Sequence, residues 1–256
     1  MKSPIKDSVN DFNRLLPTLR EMIPKGSVVD SFLFFSGELE FKLSESGRFM
    51  ISHTCKMVIY EFWRCAVEDS KRIAAISEFL YPFEHEKIFY IIQENWPKYR
   101  DHFARSALFF ILNRCSETGN ISSGRFNDKN YNSIALSYLK KFNKPKNFFL
   151  QHDKTDNLIK AIDNTSQKSD YILLPIGKFS YNLFEYGKSK GYEITTINHK
   201  ELNKYLNGID KKWIVLYKKH PQLFQMYKQH NITMIDKYGR KTDDNDKCED
   251  LIIANF

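Results

Sequence analysis

The sequence predicts an α/β fold in which a largely parallel sheet is interrupted by a helical insertion. Short apolar segments alternate with amphipathic helical segments in both terminal parts of the chain, as in layered βα units. Between residues 63 and 139 the pattern is helical almost throughout. Two last apolar segments, 232–236 and 250–256, have no helical pattern between them and are expected to form a terminal antiparallel pair.

The amino-terminal part begins with a predicted amphipathic helix over residues 10–23, which Pro24 and Gly26 close. The next segments predict, in order, a strand at 27–35, a short helix that Gly37 opens, a strand at 48–52 and a helix at 54–63.

Strand and helix signals alternate again after the insertion. The predicted strands are 147–150, 171–174 and 212–217, and the helices that follow them are 155–162, 179–187 and 221–229. We therefore assign residues 1–62 and 140–256 to one α/β domain and residues 63–139 to a helical insertion.

Composition restricts the class of protein. With 256 residues and 42% hydrophobic content the chain can bury a substantial core, and no segment is long and apolar enough to span a membrane. No secretory signal is recognised at the start, so we expect a cytoplasmic protein. The formal charge of +8 favours polyanionic partners. Four scattered cysteines lack the spacing of a metal site, and we expect no metal.

A polar loop follows the helical pattern at 100–113. Residues 116–127 are rich in glycine and in small hydrogen-bonding side chains, which is typical of a hairpin or a projecting turn.

This order of segments resembles the Dam-like adenine-N6 DNA methyltransferases. The resemblance depends on the helix end Leu112-Asn113-Arg114, on the glycine-bearing loop with Phe126-Asn127 behind it, and on the closing segment Glu249 to Phe256. It extends over most of the chain and implies a Rossmann-like methyltransferase sheet with a helical target-recognition insertion.

The resemblance implies S-adenosylmethionine as cofactor, yet the matching positions carry other residue types. Where the family has a glycine-rich loop, the chain has three bulky residues that end at Phe35, then Ser36 and a single glycine, Gly37. The position of the acid that binds the ribose hydroxyls falls at or near His53, which can accept only one such hydrogen bond when neutral. These four residues are the candidate cofactor positions, and we expect no cofactor.

The catalytic loop of the family, Asp-Pro-Pro-Tyr, aligns with Pro175, Ile176, Gly177 and Lys178. In the family the acid accepts hydrogen bonds from the adenine amino group and the aromatic ring stacks on the flipped base. Neither the acceptor nor the ring is present here, so we expect no catalytic residue and no methyl transfer.

The insertion loop lies where the family presents its DNA-reading hairpin. Arginine and asparagine read base edges, whereas serine and lysine more often contact phosphate. An ordinary solvated loop is the alternative interpretation. The candidate DNA-binding residues are Arg114, Asn120, Ser122, Ser123, Arg125 and Lys129.

The sequence thus predicts a catalytically degenerate relative of these enzymes that binds double-stranded DNA, an active methyltransferase or another protein partner. The alternative is a divergent active enzyme that uses S-adenosylmethionine and takes Asp30, Asp153 or Asp170 as its acid. A second alternative is an inhibitor or assembly subunit that does not bind DNA.

Overall fold

The computed structural model describes residues 2–7, 12–81, 86–121, 124–165, 169–179 and 197–256. These residues form two compact units. The first contains residues 2–7 and the described part of 56–144, and the second contains the described parts of 12–55, 145–179 and 197–256. The sequence placed the limits of the insertion at 63 and 139, and it assigned the amino-terminal residues to the other domain.

The second unit is built on one seven-stranded sheet. Its strands are β1 (Val28–Ser31), β2 (Phe49–Thr54), β3 (Phe148–His152), β4 (Tyr171–Gly177), β5 (Lys212–Lys218), β6 (Asn231–Asp236) and β7 (Cys248–Ala254). They are arranged in the order β3-β2-β1-β4-β5-β7-β6. Strands β1 to β5 are parallel to one another, and β7 is antiparallel to both β5 and β6.

Strand order identifies the fold class. From β1 the chain moves outward through β2 and β3 and then returns to β4 on the other side of β1, as in doubly wound dinucleotide-binding sheets. The antiparallel β7 enters between β5 and β6. The predicted α/β class with a Rossmann-like sheet is therefore confirmed, and so is the antiparallel pairing of the last two strands.

The α-helices of both units are numbered along the chain. They are α1 (Leu16–Met22), α2 (Glu38–Glu45), α3 (Met57–Leu80, kinked at Asp69), α4 (Glu86–Asn95), α5 (His102–Arg114), α6 (Ser133–Lys140), α7 (Leu158–Asp163), α8 (His199–Leu206) and α9 (Pro221–Met226).

One face of the sheet in the second unit packs against α7, α8 and α9. Its buried core includes Ile172 and Leu174 of β4 with Trp213 and Val215 of β5, and Ala161 and Leu202 pack there from α7 and α8. Continuous apolar runs in β4 and β5 are typical of parallel strands that are covered on both faces.

In the first unit, α3 packs mainly on α5 and also on α6. The Phe62 ring lies 4.9 Å from the Phe109 ring, and Trp63 lies 5.3 Å from Phe142. The helical character predicted for residues 63–139 is observed in α3 to α6. Among the described residues of both units, no helix is long and apolar enough to cross a membrane.

Candidate functional site

The candidate site lies at the carboxyl ends of the central strands of the second unit. At the β1–β4 boundary the chain leaves neighbouring strands in opposite directions, and ligands of open α/β sheets bind just beyond such a switch point. The residues that end β1, β2 and β4 are therefore examined first.

Three side chains from three neighbouring strands meet there in a buried cluster. His53 belongs to β2, Asp30 to β1, and Asp153 directly follows β3. The Nε2 atom of His53 is 3.1 Å from Oδ1 of Asp30, and its Nδ1 atom is 3.0 Å from Oδ1 of Asp153. His53 is 1% exposed and Asp30 is 2% exposed. Both ring nitrogens of His53 are thus committed to carboxylates of its own chain.

The cluster favours a charged imidazole. Burial opposes the imidazolium, but the hydrogen bonds and negative charges of Asp153 and Asp30 outweigh this effect and raise the pKa of His53. With His53 protonated and both acids ionised, the group carries one net negative charge. The second carboxylate oxygen of Asp30, Oδ2, is buried and has no hydrogen-bond partner among the residues that the structure describes.

A phenyl ring covers one face of the same imidazole. Phe32 follows β1 and is 1% exposed, and its ring is stacked on His53 with centroids 4.5 Å apart and planes 15° apart. A charged imidazole over a phenyl face also gains cation–π attraction. His53 is therefore held at two edges by carboxylates and on one face by an aromatic ring.

The loop after β1 is filled by its own side chains. Leu33 has a left-handed backbone with φ of 62°, which is unusual outside glycine. The N–H of Phe34 donates to the carbonyl of His53 at 2.9 Å, and the Phe34 ring lies 5.5 Å from that of Phe148. Phe35 and Ser36 are half-buried. The loop thus packs inward rather than presenting free backbone.

Gly37 marks the tightest point of this loop. Its φ is 72°, and a Cβ atom at this position would lie 2.6 Å from Cζ of Phe41 and 2.8 Å from Cε2 of Phe34. Phenyl carbons therefore occupy the space that a glycine normally leaves open for a ligand to approach the backbone.

These residues do not fit S-adenosylmethionine, the cofactor that the resemblance implies. The Phe34 and Phe41 rings close on Gly37, where the cofactor would need free backbone. At the ribose position, His53 is engaged at both nitrogens and has no acceptor for a hydroxyl group. No catalytic step is derived through this cofactor.

At the end of β4, the four residues that align with the family's catalytic loop are all described by the structure. Pro175 pairs with Leu216 within the ladder, and the register shifts between Pro175 and Gly177. Ile176 is fully buried, Gly177 has a φ of 85°, and Lys178 is exposed. None of these side chains carries a carboxylate or an aromatic face.

Asp170 lies at the opposite edge of the sheet. It precedes β4, and its Oδ2 atom accepts a hydrogen bond from the N–H of Val28 at 2.8 Å. Since β1 and β4 are parallel, both residues are at the amino ends of their strands. Asp170 is therefore separated from the carboxyl edge by the length of β4.

The sequence did not predict a second group of stacked rings at the carboxyl edge. The Phe179 ring, just past β4, lies between the imidazoles of His199 and His220, and each imidazole centroid is 4.6 Å from it. Nδ1 of His199 is 2.9 Å from the hydroxyl of Tyr217. Burial, and to a smaller extent the charge of His220, lowers the pKa of His199 to about 4. This imidazole is neutral at pH 7, whereas the carboxylates around His53 raise the pKa of that ring.

In the first unit, the side chain of Asn113 forms hydrogen bonds with other parts of the same unit. It is fully buried at the end of α5, where Oδ1 accepts from the N–H of Lys6 at 2.6 Å. Its Nδ2 group donates to the carbonyls of Lys6 at 2.9 Å and Gly119 at 2.7 Å. One side-chain amide thus joins the amino-terminal segment to the polar loop.

Arg114 contacts the same amino-terminal segment. Its Nε donates to the carbonyl of Pro4 at 2.6 Å and one Nη to that of Ser3 at 3.3 Å. The guanidinium group that was predicted to read DNA is therefore directed at least partly to backbone carbonyls of its own unit.

The polar loop has hairpin-like pairing. The N–H of Glu117 donates to the carbonyl of Arg125 at 3.0 Å, and the N–H of Asn127 donates to the carbonyl of Cys115 at 2.7 Å. Gly124 is required here, because a Cβ atom would lie 1.9 Å from Oγ of Ser116. This pairing closes the loop at the end of α5.

The predicted DNA-binding residues are distributed unevenly over the loop. Arg125 and Lys129 are exposed, and their side chains make no hydrogen bond or ion pair within the described ranges. Asn120 is half-buried and has contacts of its own. Ser122 and Ser123 lie outside the described residues. No group of histidine, cysteine and acidic residues in the described part of the chain is arranged to hold a metal ion.

Comparisons with known proteins find similar solved structures. No family model matches the chain, and no curated protein matches it. A TehB-like SAM-dependent methyltransferase from Corynebacterium glutamicum is 8% identical in sequence, with a TM-score of 0.39, over 96% of this chain and 88% of that one. At this similarity the match carries no functional argument.

Proposed function

We propose that this chain is a methyltransferase-like protein without methyl-transfer activity, and that it acts by binding duplex DNA or a protein partner. One observation carries the proposal: the acids nearest the switch point, Asp30 and Asp153, are both held by the chain's own His53. A catalytic acid or a ligand-binding acid must be available to the ligand.

The divergent-enzyme alternative is less well supported. It needs one of three acids, and two of them are bound to His53 inside the protein. The third, Asp170, lies at the amino edge of the sheet. The aromatic filling around Gly37 also works against cofactor binding at the first loop.

Charge and exposure support DNA as the ligand. The chain has a formal charge of +8, and Arg125 in the hairpin-like loop and Lys129 just after it are exposed without internal partners among the described residues. Such groups can neutralise phosphates and release counterions from DNA. A protein partner, including an active methyltransferase, is the other form of the proposal, and an inhibitor or assembly subunit that does not bind DNA is the second alternative.

Duplex binding tests the DNA form of the proposal. Fluorescence anisotropy with a labelled duplex at several salt concentrations is expected to show binding that weakens steeply with salt. Replacing both Arg125 and Lys129 with alanine should reduce the slope of log K against log salt by about 2, roughly one unit for each lost phosphate contact.

A control of equal charge is available on α8. Lys200 and Lys204 are both exposed, and the double alanine variant lowers the net charge by the same amount. If both double variants bind equally, the loop has no specific role. If the wild type does not bind the duplex, the DNA form fails and the partner form remains. A rise in melting temperature with S-adenosylmethionine would favour the divergent enzyme.

A further inference from the structure

The groups around His53 form a receptor of defined chemistry. The carboxylates of Asp30 and Asp153 face the two ring nitrogens at 3.1 and 3.0 Å, and the Phe32 ring lies parallel to the imidazole at 4.5 Å. Two carboxylates in the ring plane and one phenyl face outside it complement a planar cation with two opposed N–H donors.

Asp30 provides separate evidence for such a receptor. Its side chain is 2% exposed, and its Oδ2 atom has no hydrogen-bond partner among the described residues. A buried ionised carboxylate is costly unless a cation compensates it. In the wild-type chain His53 is the nearest compensating group in the described structure, so removing its ring leaves two acids without their shared donor.

We propose that Asp30, Asp153 and Phe32 form a binding site for a planar organic cation of imidazolium size, and that His53 occupies it as a built-in ligand. The inference deepens the proposed function, because it identifies His53 as the group that fills the candidate site at the carboxyl edge of the sheet. It also predicts which small molecule the site accepts once His53 is removed.

The experiment removes the ring and supplies it from solution. His53→Gly in the full-length chain is expected to melt well below the wild type. Millimolar imidazole should raise its melting temperature by several degrees, and it should do so more at pH 6 than at pH 8.5, because the site selects the protonated ring. Wild-type protein should not respond, because His53 already fills the site.

His199→Gly is the matched control. His199 is also a buried imidazole beside Phe179, but its donor or acceptor partner is the hydroxyl of Tyr217 instead of a carboxylate. If imidazole raises the melting temperature of this variant, the increase should be at least as large at pH 8.5 as at pH 6, because this environment favours the neutral ring.

A second variant keeps the test decisive when the first does not fold alone. For an unfolded His53→Gly chain, imidazole during refolding must restore the helical circular dichroism signal. Adding Asp153→Asn to His53→Gly should abolish the response at pH 6. The proposal is overturned if imidazole does not stabilise His53→Gly, or if it does so with the same pH dependence as for His199→Gly. It is also overturned if imidazole still stabilises the variant that carries both His53→Gly and Asp153→Asn. None of these measurements involves DNA or S-adenosylmethionine, so they fail or succeed independently of the proposed function.

Discussion

Replacing Asn113 with alanine should loosen the amino-terminal segment and the polar loop together. The buried amide makes three hydrogen bonds, two to Lys6 and one to Gly119. At a net value of about 1 kcal/mol for each bond, the loss is about 3 kcal/mol. For a chain of this size a loss of that magnitude lowers the melting temperature by about 6–12 °C.

Hydrogen exchange followed by mass spectrometry locates the effect. Because the N–H of Lys6 donates to Oδ1 of Asn113, peptides that contain residues 3–6 should exchange faster in the variant. Peptides from β4 and β5 belong to the other unit and should keep their wild-type protection.

Asn95→Ala is the control, since its side-chain amide makes only exposed hydrogen bonds among the described residues, to the carbonyl of Ile91 and to Lys98. Its expected change in stability is within about 0.5 kcal/mol. If Asn113→Ala costs no more than this control, or if residues 3–6 keep their protection, then the amide does not connect the two segments as argued.

Two further predictions concern the second unit. The pKa of His53 is raised in the folded protein, so the stabilisation that this side chain contributes is complete below the pKa of the unfolded chain, near 6.5. It is lost as the pH rises through the folded pKa. Urea titrations should therefore show that the difference in free energy of unfolding between wild type and His53→Gln becomes smaller at alkaline pH. Gly37→Ala and Gly26→Ala each place a side chain at positive φ, which costs about 1–2 kcal/mol. At Gly37 the Phe41 ring adds an overpacking cost of about 1–3 kcal/mol, whereas nothing lies within 4 Å of a Cβ atom at Gly26. Gly37→Ala should therefore lose more stability than Gly26→Ala, and equal losses would contradict the packing described.

Much of the architecture could be predicted from residue patterns. Continuous apolar runs such as Tyr171 to Leu174 and Trp213 to Tyr217 predict buried strands, and the intervening helical patterns predict parallel crossovers. The missing helical pattern before the last segment predicted antiparallel pairing, and β6 and β7 are paired in this way.

Strand ends were less predictable, because local apolar character does not show where the backbone turns. Residues 27–35 were predicted as one strand, yet β1 ends at Ser31 and Leu33 has a φ of 62°. Phe34 lies in the loop after β1, where its apolar ring packs on the rings of Phe41 and Phe148. A pattern of hydrophobic residues cannot separate this packing from that of a strand.

The candidate site depended on contacts that are distant in sequence. His53 and Asp153 are 100 residues apart, and they meet because β2 and β3 are parallel with His53 paired to Gln151. A histidine next to an acidic residue is usually a surface feature, so the pair His152-Asp153 does not indicate this contact in the sequence. Likewise, the helix end with Asn113 and Arg114 resembled a DNA-reading element, and only the structure shows its bonds to residues 3–6.

The loop after β1 and the His53 side chain form a single structural unit. Phe32 stacks on the His53 ring, and the N–H of Phe34 donates to the His53 carbonyl. Placing an acid at position 53 alone would bring a third carboxylate beside Asp30 and Asp153 without the imidazolium that compensates them, and like charges in a buried site repel strongly. Placing glycines in the loop alone would leave the His53 ring in place and remove the phenyl groups that cover it. Each substitution by itself therefore destabilises the closed arrangement without producing an open site, so opening this site to a ligand requires both changes together.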